Sequence, residues 1–334
     1  MIRVAINGFG RIGRLVFRLM EEDSEFEIVA INDLTDSEQL AYLLKYDTSH
    51  RRYKVDEISY DSDHIIINDK KIRIYKETDP KNLPWKELEI DEVFECTGRF
   101  TDKDSAYAHI EAGAKKVIIS APAKGDLKTI VYNVNHDTLD GSEKVISAAS
   151  CTTNCLAPLV DLINKKYGIK KGYMTTVHAY TNDQSVLDIA HKKGIYSRRG
   201  RASAANIVPA STGAASAIGL VIPSLKGKLD GSALRVPTTT GSVIDLTLEL
   251  DKNVTKEELN ETIKNNTNET LGFTMDPIVS SDVIGITYGC LVDGLLTSVL
   301  EVDGSQLVKL VAWYDNEMSY SAQMVRTAKY LKRN

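Results

Sequence analysis

Ile2, Val4 and Ile6 alternate with Arg3 and Ala5 and run directly into Asn7-Gly8-Phe9-Gly10-Arg11-Ile12-Gly13, after which Ile12, Leu15, Val16 and Leu19 recur at helical spacing. A second apolar run, Ile28 to Ile31, ends in Asn32-Asp33. No other feature constrains the fold so tightly. Strand, Gly-x-Gly-x-x-Gly turn, helix, strand and a closing acid, in that order, describe a βαβ unit built to hold a dinucleotide. Gly8 suits the tight turn, Gly10 lets a pyrophosphate approach the backbone, and Gly13 lets the helix pack closely on the sheet. Asp33 is placed to accept hydrogen bonds from the adenosine ribose hydroxyls and to repel a 2′-phosphate, which favours NAD over NADP.

Further short apolar runs read as strands at Glu92 to Cys96, Val117 to Ser120, Thr129 to Val131 and Lys144 to Ala149. Helical or irregular segments separate them, as a mostly parallel sheet requires. Thr97-Gly98-Arg99-Phe100 and Ser120-Ala121-Pro122 fall just past strand ends, where open α/β sheets bind ligands, although each alone could be a turn. With 334 residues the chain exceeds what one core usually serves, so two domains are expected. The fold class read here is α/β, an amino-terminal Rossmann domain followed by an α+β domain with a mixed or antiparallel sheet.

Ser150-Cys151-Thr152-Thr153-Asn154 stands where the strand ending at Ala149 gives way to an expected helix. Free N–H groups at a helix start, together with the dipole, stabilise a thiolate, so Cys151 is a candidate nucleophile. Pro158 falls inside that helix and is expected to distort it locally. The four cysteines, Cys96, Cys151, Cys155 and Cys290, form neither a disulfide framework nor paired metal spacing, and no metal is expected. A net charge of −5 argues against general attraction to nucleic acid. No apolar run approaches the roughly 20 residues of a membrane span. With no signal-peptide pattern at Met1, the chain is expected to be cytoplasmic.

The second half has a different texture. Tyr173 to His178 and Ser242 to Leu250 alternate as half-exposed strands, and Ser298 to Val302 pairs with Val308 to Tyr314 around Asp303-Gly304. Thr255-Lys256-Glu257-Glu258 is a capping box, and Asn316 to Asn334 reads as a final amphipathic helix. His178 ends a strand before a loop, the placement a general base needs; His50, His64, His109, His136 and His191 lie in polar or helical surroundings without it. The loop from Thr181 to Arg201 carries Arg198, Arg199 and Arg201, and Ala210-Ser211-Thr212-Gly213-Ala214 and Leu234-Arg235-Val236-Pro237 follow it. Arginine forks, threonine hydroxyls and a Thr-Gly turn are what phosphate oxyanions require, whereas Lys192 and Lys193 read as a solvated face. No aromatic residues interleave with these cations to stack bases, so no specific nucleic-acid partner is expected.

Taken together, Asn7 to Arg14, Ser150 to Asn154, Ala210 to Ala214, Leu234 to Pro237 and Trp313-Tyr314-Asp315-Asn316-Glu317 closely resemble the phosphorylating glyceraldehyde-3-phosphate dehydrogenase family, in its order and over almost the whole chain. The resemblance implies an NAD-binding domain over 1–150, a catalytic domain over 151–316 and a carboxyl-terminal helix over 317–334 that packs back on the first. It implies that the Cys151 thiolate attacks the aldehyde of glyceraldehyde 3-phosphate and that His178 takes the hydroxyl proton of the hemithioacetal. Inorganic phosphate then releases the resulting thioester as 1,3-bisphosphoglycerate. Thr181 and Arg235 match positions that hold the substrate phosphate, and Ser150, Thr152, Arg198, Thr212 and Gly213 match those of the attacking phosphate. Arg11, Ile12, Asp33, Ser120 and Asn316 match NAD contacts, with Asn316 fixing the nicotinamide amide. A homotetramer is implied as well.

Four positions depart from the family pattern, two of them adjacent. Ile189-Ala190 replaces a common Leu-Pro, Thr78 a common arginine near the adenine, and Gly200 a common alanine. The first two replacements bear on how strictly NAD is preferred. Rival readings are a related dehydrogenase acting on erythrose 4-phosphate, a Cys–His hydrolase without cofactor, and an NAD-binding protein with a surface role.

Overall fold

In a computed structural model, residues 1–191 and 193–333 are described, so the reading of Lys192 and the last residue of the final helix fall outside them. The chain divides into two units, Met1–Ser150 with the segment from Ser321 onward, and Cys151–Tyr320.

The first unit is built on an eight-stranded sheet in the order Val145–Ser147, Lys116–Ile119, Glu92–Glu95, Ile2–Asn7, Phe26–Asn32, Lys70–Tyr75, His64–Ile67, Ile58–Tyr60. The first six run parallel and the last two are antiparallel additions. Val4, Ala5 and Ile6 are wholly buried, as a central strand covered on both faces must be. Gly8 adopts φ +90°, and a Cβ there would lie 2.7 Å from the Thr97 nitrogen; one on Gly13 would lie 2.1 Å from the Gly8 carbonyl oxygen. Only glycine permits that turn and that close seating of the Arg11–Glu21 helix on its strand.

Thr129 to Val131 does not form the expected strand. Thr129 makes a single bridge to Ser147. The Asn135 side chain folds back instead, accepting from the Val131 N–H and donating to the Thr129 carbonyl, both at 2.9 Å. A local side chain thus satisfies backbone groups that a ladder would have used.

The second unit carries a mixed sheet in the order Val208–Ser211, Leu229–Val236, Ile169–Ala179, Ser242–Leu250, Ser305–Tyr314, Cys290–Asp293, Leu271–Thr274, with Ser298–Val302 paired to Ser305–Tyr314. Ser242–Leu250 alternates strictly between buried and half-buried residues. The Cys151–Tyr167 helix runs through Pro158 without a break. One lost hydrogen bond is outweighed there by burial of every residue from Thr152 to Val160. Asp315 accepts from the Glu317 and Met318 N–H groups, so the final helix begins at Met318, two residues later than its periodicity suggests.

Candidate active site

Ala149, at φ +60°, reverses the chain after the Val145–Ser147 strand, and Cys151 opens the helix that follows. A non-glycine residue in the left-handed region costs on the order of 1 kcal/mol and marks a tightly held turn. Cys151 Sγ lies 3.4 Å from His178 Nε2. His178 sits one residue from the end of Ile169–Ala179, and the parallel neighbour places Arg235 directly opposite it. His178 Nδ1 is 2.6 Å from the Ala179 carbonyl. Arg235 Nη1 also lies 3.0 Å from Nδ1, but its two protons have acceptors in the Ala179 carbonyl and Thr181 Oγ1, and a carbonyl only accepts; the shorter contact therefore assigns the ring proton to Nδ1 and turns the Nε2 lone pair toward the sulfur. Arg235 Nη1 donates to the same carbonyl and to Thr181 Oγ1, each at 3.0 Å.

The expected lowering of the thiol by the helix start does not prevail here. Burial pushes the Cys151 thiol up, with Arg235 and the Thr152 hydroxyl opposing it. Burial and the Arg235 charge lower His178 to about 3, against the Ala179 bond. Burial thus works against charge on both groups, and the 3.4 Å contact places Nε2 to take the proton from Sγ as the sulfur reacts.

Tyr314, wholly buried, braces this pair. Its hydroxyl meets Thr152 Oγ1 at 2.9 Å and Thr176 Oγ1 at 2.8 Å, and its ring stands edge-on to His178 with centroids 5.9 Å apart. Thr152 is thereby held in the wall of the site, with its hydroxyl 3.9 Å from Cys151 Sγ. Two residues on, Asn316 Oδ1 accepts from Thr240 at 3.2 Å and Ser242 at 2.9 Å, which fixes the orientation of its amide.

Thr181 donates to Asp183, which also takes Arg199 Nη1. Arg199 is thus a loop cation held beside Thr181 through Asp183. Arg198 is exposed and lines a separate cavity of about 580 Å³ with Ile189, Ala190 and Arg201. Thr212 caps the Ala214 N–H at 3.2 Å, and Gly213 precedes the Ala214–Val221 helix. Among the described residues, neither Thr212 nor Gly213 bonds to the Cys151 group. Sequence assigns Tyr314 and Asp183 no role of their own and names Arg199 only as one of the loop's cations; the block around Asn316 holds the signal for Tyr314.

In the first unit a cavity of about 300 Å³ is lined by Asn7, Gly8, Gly10, Asp33, Thr78 and Thr97, among others. Nothing lies within 4 Å of where a Gly10 Cβ would stand, so the turn leaves backbone open to a ligand. Asp33 accepts from the Phe9 N–H at 2.8 Å and the Thr35 N–H at 3.0 Å, which holds its carboxylate at the cavity wall. These features fit a dinucleotide. Arg11, Ile12, Gly13 and Ser120 do not line the cavity; the Arg11 guanidinium is instead paired with Asp47 at 2.5 Å. What Arg11 and Ile12 offer an anion is their place in the first turn of a helix that Gly10 leaves without a side-chain cap. No helix among the described residues is long and apolar enough to cross a membrane.

Residues 2–103 match the family described as glyceraldehyde 3-phosphate dehydrogenase, NAD binding domain, and residues 150–316 match its C-terminal domain. The chain is 59% identical over 333 residues to glyceraldehyde-3-phosphate dehydrogenase of Clostridium pasteurianum and 57% identical over 333 residues to that of Clostridium acetobutylicum, covering all of this chain and 99% of each relative. It is 54% identical over 338 residues to the Streptococcus pyogenes enzyme at the same coverage.

Proposed function

This chain belongs to the glyceraldehyde 3-phosphate dehydrogenase family, and from that premise we propose that it is a glycolytic enzyme converting D-glyceraldehyde 3-phosphate, NAD and inorganic phosphate to 1,3-bisphosphoglycerate and NADH. The observation that carries the reading is the 3.4 Å approach of Cys151 Sγ to the unprotonated Nε2 of His178, with Arg235 and Thr181 alongside.

Cys151 adds to the aldehyde carbon as its thiol proton passes to His178 Nε2, and the imidazolium returns that proton to the new alkoxide, giving a hemithioacetal. NAD supplies, when bound, the two-electron acceptor that takes the hemithioacetal to a thioester. His178 Nε2 takes the hydroxyl proton in that oxidation. Phosphate attacks the thioester carbonyl, and the departing sulfur is reprotonated from His178. Arg235 and Thr181 hold the substrate's phosphate, which orients the aldehyde toward the sulfur. Ser150, Thr152, Thr212, Gly213 and Arg198 serve the attacking phosphate, with Thr152 acting through its bond to Tyr314. Gly8, Gly10, Gly13, Asp33 and the first turn at Arg11 and Ile12 hold the dinucleotide, while Ser120 and the fixed amide of Asn316 complete its contacts.

The enzyme is cytoplasmic and acts as a homotetramer. In support of assembly, Tyr173, Leu300, Val302 and Leu307 on the second unit's sheet, and Val186, Leu187, Ile195 and Tyr196 on the basic loop, are exposed apolar side chains that subunit contacts would cover. The direct test follows absorbance of NADH with glyceraldehyde 3-phosphate and either nicotinamide cofactor, with and without phosphate. NADH formation that requires phosphate is expected. Turnover indifferent to phosphate, or faster with erythrose 4-phosphate, would overturn the assignment.

A further inference from the structure

His109, in the Lys103–Glu111 helix, is wholly buried and anything but a bystander. Trp85 Nε1 donates to its Nδ1 at 2.9 Å, and its Nε2 lies 3.2 Å from Glu95 Oε2. An indole N–H only donates, so Nδ1 carries the lone pair and the ring's one proton sits on Nε2, facing the carboxylate. Glu95 is itself 1% exposed. Its Oε2 also accepts from Asn7 Nδ2, and its Oε1 accepts from both the N–H and the hydroxyl of Thr97. Four donors thus satisfy both oxygens of this buried carboxyl group in place of water.

The bonds continue sideways. Asn7 Oδ1 accepts from Asn32 Nδ2 at 2.7 Å, and the Asn32 side chain closes on both the N–H and the carbonyl of Glu77 at 2.9 Å. Asn7, Asn32 and Glu95 are the last residues of three adjacent parallel strands, and Glu77 lies two residues past the end of a fourth. Asn7, Asn32, Glu77 and Thr97 all line the 300 Å³ cavity. One hydrogen-bonded chain therefore sets the mutual placement of every strand end from which that cavity is built.

We propose that Glu95 and His109 are positioning residues for the dinucleotide, holding the Gly8 turn, Asp33 and Thr97 in binding geometry from behind the cavity wall, where neither side chain is a lining residue. This rests on the cavity being the NAD site. Two acceptor oxygens are needed because a glutamine at position 95 would turn one acceptor into a donor, leaving either the Thr97 pair or the Asn7 and His109 pair facing N–H groups.

The test compares the full-length wild type with Glu95→Gln, His109→Phe and His109→Gln by NAD calorimetry and by the Michaelis constants of NAD and of glyceraldehyde 3-phosphate. Glu95→Gln and His109→Phe should raise Kd and KM for NAD by about tenfold or more while kcat and the KM for the aldehyde stay within about twofold. His109→Gln, whose amide again offers one acceptor to Trp85 and one donor to Glu95, should restore NAD affinity to within about threefold. A merely structural role would instead lower the melting temperature of both His109 variants without separating the two Michaelis constants. If the wild type binds NAD and both disruptive variants bind it equally well, the positioning role is wrong and the cofactor site stands. A wild type that binds no NAD would remove both. Should Glu95→Gln fail to fold, the contrast between His109→Phe and His109→Gln decides.

Discussion

His109 and His178 are the buried histidines of the two units, at 0% and 3% exposure, and they are used in opposite ways. The indole of Trp85 only donates to His109 Nδ1, so the tautomer is locked with the proton on Nε2, beside the Glu95 carboxyl at 3.2 Å and the Asn7 amide nitrogen at 3.3 Å, and the ring can only hold. His178 has one nitrogen on a carbonyl and the other on a thiol, a partner that can give up its proton. Burial alone does not separate a structural histidine from a reactive one; the chemistry of the second nitrogen's partner does. A similar contrast appears between two carboxylates on one strand. Glu95 has four donors, whereas neither oxygen of Glu92 has a hydrogen-bond partner, and desolvation pushes Glu92 up to about 8 against the pull of Lys116.

The largest effect should come from removing the proton donor. Cys151→Ser should lower NADH formation by at least about 10³-fold in a steady-state assay while calorimetry finds NAD affinity little changed. Retained turnover would end the contrast between the two histidines, because His178 would then have no reactive partner.

Next, His178→Asn should lower kcat by about 10²- to 10⁴-fold with little change in NAD binding. A kcat loss of that size in His109→Phe as well would erase the distinction drawn here.

The smallest effects lie in stability. The folded state keeps His178 neutral down to about 3, while the unfolded chain takes up the proton near 6.5, so His178 makes stability fall as pH drops through that window. Glu92 works with the opposite sign. The folded state retains its proton up to about 8 while the unfolded chain loses it near 4.5, so stability falls as pH rises between those values and is flat above. Melting curves of Glu92→Gln should therefore show a gain of a few degrees that grows from pH 4.5 to 8. His178→Asn should instead flatten the loss on the acid side. A gain for Glu92→Gln independent of pH would show that the wild-type carboxyl is not protonated on folding.

Much of the fold was legible because its signals are local. The glycine fingerprint, the strict alternation of Ser242–Leu250, the Thr255 capping box and the Asp303-Gly304 hairpin turn all appear where neighbouring residues predict them. The short strands Ile58–Tyr60, Cys290–Asp293 and Leu271–Thr274 were not legible, since a run of three or four residues carries too little periodicity. Of the site, Cys151, His178, Thr181 and Arg235 were singled out from sequence and meet in space, whereas the link from Arg199 through Asp183 to Thr181 had no local signal.

Sequence alone determined where this chain must turn, cap and alternate, because steric freedom at Gly8 and Gly13 and hydrogen bonding by Thr255 depend on neighbours along the chain. Only the tertiary structure decided which groups hold charge. It pushed Cys151 up and His178 down by burial, surrounded Glu95 with donors and left Glu92 without any, because desolvation and hydrogen-bond supply depend on what packs around a side chain from distant parts of the sequence.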